Sequence, residues 1–311
     1  MPDVVCVGIL VADIVAYPLV GLPEEGKLKL VENMELHTGG CAVNTGTALK
    51  KLGVDVAVVG KVGDDPLGDF LVSQLEKRDI NIQGVVRDKT RKTSATMVFV
   101  SETGERTFLH YTGANATMRP EDIRWEVARG ARVFHLGGFF LMPGFDGDPA
   151  AEVLRHAKSL GLMTSLDTAW DDQGHWMKLL APCMPYIDVF ISSLSEAQML
   201  SGEVEPPRIA AKLADMGPRL IAIKMGPDGS YILSPEFEGF IPPFVVKAVD
   251  GTGAGDAFVA GFLTGLLMGW DIKKTARFAN AVGALCVSCA GASTGIRTLS
   301  ETLAFMGEEK G

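Results

Sequence analysis

Apolar residues recur along this chain in two rhythms. Six continuous β-rich runs, DVVCVGIL (3–10), VDVAVVGKVG (54–63), ARVFHLGG (131–138), LMTSLD (162–167), DVFISS (188–193) and RLIAIKMG (219–226), read as strands buried on both faces. Between them lie segments with helical spacing: 42–53, 65–78, 147–161, 195–202 and 206–217. Strand alternating with helix predicts an α/β fold, a doubly wound, mainly parallel sheet flanked by helices. Ligands of such sheets bind outside the carboxyl ends of the strands, where Gly8, Gly137, Asp167, Ser193 and Gly226 fall.

Two stretches depart from that rhythm. KLKLVENMELHTGG (27–40) alternates polar and apolar residues, and SATMVFVSETGERTFLHYTG (94–113) reads as a hairpin turning at Glu102, Thr103 and Gly104. With residues 11–20 they predict a small separate β-sheet, inserted at about 11–38 and 94–113, that serves as a lid, a dimer interface or both.

Composition narrows the function classes. Of 311 residues, 47% are hydrophobic and 22% charged, enough for a large core. A formal net charge of −9 speaks against a nucleic-acid surface but not against a polyphosphate ligand, which needs only a local positive field. The five cysteines are scattered and odd in number, so a reducing cytoplasm is expected rather than a disulfide scaffold. Cys286 and Cys289 form a lone CxxC, better read as small packed residues than as a metal site. The N-terminal run carries Asp3 and Asp13 and no basic flank, so it reads as a strand and not a signal peptide. Ala257 to Trp270, the longest apolar run, is too short and glycine-rich to span a membrane.

The chemistry concentrates in FVVKAVDGTGAGDAFVAG (244–261), read as a short strand, a glycine-rich turn and a helix. Glycines at 251, 253 and 255 let successive backbone N–H groups converge on an anion, and the following helix adds its positive dipole end. Asp256 is then either a helix-terminal carboxylate or a base facing a hydroxyl. A dinucleotide fingerprint is a poor match, because the third glycine is misplaced and no βαβ unit follows; no GxxxxGK[ST] loop occurs anywhere.

GGCAVNTGTALKKLG (39–53), then VGKVGDDPLGDFL (59–71), then DGTGAGDAFVAG (250–261) closely resemble the ribokinase-like carbohydrate kinase family, the phosphofructokinase B-type sugar and nucleoside kinases. The resemblance runs nearly end to end and implies one α/β kinase domain over 1–311 with a β-lid. It implies an ATP-dependent kinase that uses Mg²⁺, and it leaves a monovalent cation open. By resemblance Asp256 is the catalytic base, and Gly253, Ala254 and Gly255 supply the anion hole. Asp13, placed at the end of the first strand, and Gly39, Gly40 and Asn44 match the substrate-contacting residues. Ser193, Glu196, Lys224, Gly226, Gly229 and Asn280 match the nucleotide side, with Glu196 ordering Mg²⁺ through water. Ser193 stands where the family usually has asparagine, which brings in a catalytically weak sugar-binding homologue as one alternative. The dipole of the helix is expected to lower the Asp256 pKa.

The acceptor is less defined. DTAWD (167–171) has Asp171 where relatives that bind sugar acids carry arginine, and FLHYTGANA (108–116) offers none, so a neutral furanose is expected, as the free sugar or within a nucleoside. Lys27 or Arg106 could supply a cation from the lid. Phe139, Phe140 and Met142 are either an apolar wall for a nucleobase or plain core. A homodimer through the lid is a further expectation of the resemblance.

Overall fold

The structure, a computed structural model, describes residues 1–19, 21–102 and 106–307. In chain order the strands are β1 (Val4–Gly8), β2 (Val11–Tyr17), β3 (Asn33–Gly39), β4 (Val56–Gly63), β5 (Asn81–Asp88), β6 (Ala95–Val100), β7 (Arg106–Tyr111), β8 (Val133–Phe139), β9 (Met163–Thr168), β10 (Val189–Ser193), β11 (Leu220–Lys224), β12 (Ser230–Leu233) and β13 (Glu238–Ile241). The helices are α1 (Cys41–Lys51), α2 (Pro66–Lys77), α3 (Asp148–Ser159), α4 (Met177–Leu180), α5 (Leu194–Ser201), α6 (Pro206–Ala214), α7 (Ala254–Leu267), α8 (Ile272–Val287) and α9 (Leu299–Phe305).

Among the described residues the large sheet runs β13-β12-β11-β10-β9-β8-β1-β4-β5. Its pairs are parallel from β5 across to β11, and β12 and β13 add antiparallel at the edge. Both faces are covered, which is why the central strands read as continuous apolar runs. Val4 and Cys6 of β1 pack with α1, α2, α7 and α8, while Val5 and Val7 point into a second core with α3, α5 and α6. Strand order reverses at β1, which lies between β8 and β4, so the fold opens its crevice at the carboxyl ends of β1 and β8. Helix α1 begins there.

The small sheet runs β3-β2-β6-β7 and is separate from the large one. Because side chains alternate along a strand, its two faces differ. Asp13, Val15, His37, Thr96, Val98 and His110 line a cavity, whereas Met34, Leu36, Met97 and Leu109 are exposed. The predicted hairpin exists as β6 and β7, though residues 103–105 at its turn lie outside the described residues.

Three sequence expectations need correcting. Asp13 is not at the end of the first strand: β1 ends at Gly8, and Asp13 sits on β2 of the small sheet, opposite His37 and Thr96. FVVKAV (244–249) is not a strand. It follows Pro242 and Pro243 beyond edge strand β13, the prolines lack the N–H a ladder needs, and Val245 is 96% exposed. Strand β5 was not anticipated, because NIQGVVRD is half polar and only partly covered.

Candidate active site

Helix α7 starts from Gly253, which has φ 74°, the left-handed region that glycine enters freely. A Cβ here would also lie 2.4 Å from the Ala292 carbonyl oxygen. This turn places Asp256 in the first helical turn, and α1 packs against α7 so that Asn44 Nδ2 donates to Asp256 Oδ2 at 2.8 Å. Thr45 Oγ1 reaches Asp256 Oδ1 at 3.5 Å. The two motifs that stand 212 residues apart in sequence thus meet at one carboxylate.

Asp256 is 9% exposed, and burial pushes its carboxyl above the ordinary range despite the opposing Asn44 bond and the Lys224 charge. The expectation of a lowered pKa is therefore overturned. A helix N-terminus does favour the anion, but loss of water outweighs it here. Of the proposed anion-hole amides, that of Ala254 donates to the Gly251 carbonyl oxygen at 3.3 Å, a long bond. The first turn of a helix has no preceding turn to receive its N–H groups, so the end of α7 stays suited to an anion.

Asp13, Gly40, Asn44, Gly253 and Asp256 all line a cavity of about 710 Å³. Gly39 does not line it, but a Cβ at Gly39 would fall 2.0 Å from Asp13 Oδ2, so only glycine leaves that carboxylate in place. Burial raises the Asp13 pKa, opposed by a Thr96 hydrogen bond and by the His37 and Arg106 charges. Phe108 and His110, from the run 108–116 expected to face the substrate, line the cavity, together with Thr96, His37 and Leu141, which were not anticipated. For those on strands the alternation shows the face, and nothing local shows their proximity to Asp256. Phe139 and Met142 are fully buried and Phe140 packs edge-on to Phe139 and Trp176, so the reading as core holds and the nucleobase wall does not. Asp171 is also structural: it accepts the Trp176 and Gln173 amides.

Of the nucleotide-side residues, Ser193, Glu196, Lys224, Gly226 and Gly229 lie at or just after the ends of β10 and β11 and Asn280 lies on α8; none of them lines this cavity. Ser193 caps α5, with its hydroxyl accepting from the Glu196 amide and its own amide donating to Glu196 Oε2 at 3.0 Å. Thr168 Oγ1 donates to the same oxygen at 2.9 Å. Lys224 is not extended along an open groove. Its Nζ donates to Asp167 Oδ1 at 2.5 Å and would lie 3.2 Å from a Cβ on Gly255, directly against the start of α7. Burial disfavours its charge, but Asp167, Glu196 and Asp256 outweigh that and hold its pKa up. Gly226 and Gly229 turn the chain from β11 into β12, both at positive φ. Asn280 is buried, and its amide is spent on the carbonyls of Ile241 and Pro242, tying down the chain after β13.

All five cysteines are free, and Cys286 is buried on α8 as a packing residue. Among the described residues no group of three or more His, Cys, Asp or Glu is placed to hold a metal. No helix among them is long and apolar enough to cross a membrane.

The model of the pfkB family of carbohydrate kinases matches residues 1–299. The chain is 30% identical over 302 residues to a probable fructokinase-2 of Arabidopsis thaliana, covering 92% of each. A putative sugar kinase of Pyrococcus horikoshii is 30% identical over 276 residues, covering 86% of each, and its structure in complex with ATP superposes with TM-score 0.78 over 97% of both chains. The ribokinase of Thermotoga maritima superposes with TM-score 0.85 at 25% identity, over 99% of this chain and 100% of that one.

Proposed function

Because this chain belongs to the pfkB family of carbohydrate kinases, we propose that it moves the γ-phosphoryl group of ATP onto a hydroxyl of a neutral, furanose-type sugar, with Asp256 receiving the hydroxyl proton. The observation that carries this reading is the meeting of Asn44 and Asp256 in one cavity with Asp13. Asp13 accepts hydrogen bonds from sugar hydroxyls, and Asn44 fixes the Asp256 carboxylate while leaving Oδ1 toward a long, weak Thr45 contact. A loose phosphoryl-transfer transition state asks for little early proton removal, so an oriented carboxylate suffices. The turn at Gly253 and the first amides of α7 receive the phosphoryl oxygens.

Glu196 suits Mg²⁺, an ion that keeps several waters and binds through one or two carboxylates: its side chain is oriented by two bonds to a single oxygen. Mg²⁺ held there through water supplies charge neutralisation at the phosphate oxygens. The capping role of Ser193 accounts for a hydroxyl where asparagine is usual, and keeps the Glu196 side chain oriented.

Burial of Phe139 and Met142 removes the specific argument for a nucleoside and favours the free sugar. The test is acceptor-dependent ADP release from Mg-ATP across ribose, fructose, other neutral sugars, adenosine, inosine and cytidine. We expect turnover with a free neutral sugar. Turnover confined to nucleosides would overturn the acceptor class. Binding of ATP without ADP release from any acceptor would favour a sugar-binding homologue.

A further inference from the structure

Arg106 opens β7 of the lid, yet among the described residues its guanidinium hydrogen-bonds to the glycine-rich turn before α7. Nη2 donates to Asp250 Oδ2 and Nη1 to Thr252 Oγ1, each at 2.5 Å. The Asp250 side chain is 3% exposed and does more than balance a charge. Its Oδ1 accepts the Thr252 amide at 2.9 Å, and its Oδ2 accepts the Gly291 amide at 2.7 Å. One carboxylate therefore ties together the lid, the turn that carries Gly253, and the loop after α8 that packs against that turn. Thr252, Gly253 and Gly291 all line the same cavity as Asp256, and Arg106 is the one lysine or arginine in its described lining.

Removing the arginine would leave a buried carboxylate without its cation, beside the place where phosphoryl oxygens would arrive. Such a group is costly when unpaired. A planar guanidinium spans two acceptors at fixed geometry, which an ammonium does not.

We propose that Arg106 is a positioning residue that fastens the lid to the phosphate-receiving turn, so that the turn keeps its anion-binding shape only while the lid covers the acceptor. The proposal rests on the kinase reading for its kinetic consequences and on geometry alone for the clasp. It accounts for an arginine that faces the cavity yet directs its guanidinium hydrogen bonds to the turn.

Hydrogen–deuterium exchange on the full chain tests the clasp without any assumption about activity. Arg106→Ala is expected to speed exchange in peptides covering residues 250–257 and in β6 and β7, with β4 and β5 unchanged as the internal reference. Unchanged exchange at 250–257 would overturn the proposal. If the alanine variant loosens throughout, Arg106→Lys decides: it keeps the charge but not the fork, and wild-type exchange there would overturn the two-pronged clasp. Kinetics give the second readout. Arg106→Ala should lower kcat on the order of 10- to 100-fold, as a misplaced catalytic surface does, with ATP affinity in the absence of acceptor little changed. The double variant with Asp250→Asn should be no worse than the worse single variant. A rise in acceptor KM at unchanged kcat, or full additivity in the double variant, would make Arg106 a plain sugar contact and overturn the proposal. A wild-type protein with no acceptor-dependent turnover would instead sink the kinase reading and leave the exchange result to decide the clasp.

Discussion

Asp256 sits in a place that disfavours charge. Its pKa in the fold lies above that of the unfolded chain, so the native state holds a proton over a pH range in which the unfolded chain has lost it. Stability then falls as pH rises through that range, so at neutral pH Asp256 is a standing cost to the fold. Asp256→Asn should therefore raise Tm at pH 7, with the gain shrinking as pH falls toward the ordinary carboxylate value of 3.8. The same variant should lower kcat by about 10²- to 10⁴-fold with ATP affinity retained. Lower Tm together with wild-type turnover would remove Asp256 from the mechanism. Asn44→Ala deletes a bond that favours the charged form, so it should move the acid limb of kcat/KM to higher pH; an unmoved limb would reduce Asn44 to a substrate contact. Though their contact was not, each of these two residues was legible in sequence as a site candidate, in its own glycine-flanked helix start. The sign of the pKa shift was not, because the helix end is visible in the sequence and the depth of burial is not.

At the scale of elements, legibility followed coverage. β1, β8, β9 and β11 are buried on both faces and announce themselves as apolar runs, whereas β5, with one partner strand and half-polar composition, does not. FVVKAV has the composition of a strand but, among the described residues, no strand to pair with, so propensity without a partner misleads. The start of α7 shows what glycine pattern alone can fix. At Gly253 the left-handed backbone and the Ala292 carbonyl each exclude a side chain. Gly253→Ala should cost at least about 1–2 kcal/mol from the backbone alone. It should also depress kcat more than it alters acceptor affinity, since it displaces the anion-receiving amides. Chemical denaturation and a kcat-against-KM comparison check both, and a stable variant of normal kcat would detach the turn from phosphoryl transfer.

At the scale of the whole molecule, the lid has two faces with different business. Its inner face lines the cavity with Asp13, Thr96 and His110, and Arg106 bonds to the turn at Asp250. Its outer face carries a row in cross-strand register, Leu36 opposite Ile14, Ile14 opposite Met97, and Met97 opposite Leu109, so apolar side chains run across all four strands. Leu36, Met97 and Leu109 are 40%, 49% and 52% exposed. A contiguous apolar patch of this kind on a separate, small sheet is a surface that a second protein surface covers. Four strands alone make a thin layer with little core, so burying the outer row would also stiffen the sheet that positions Asp13. A second copy of the chain offers the same patch and would close the arrangement about a two-fold axis. Sedimentation should accordingly give a dimer at micromolar concentration. Met97→Glu, which puts a charge at the centre of the row, should give a monomer with weakened acceptor binding and intact ATP binding. A monomeric wild-type chain at all concentrations would mean that the row serves some other partner, and a monomeric variant with unaltered acceptor KM would mean that the lid holds its shape unaided.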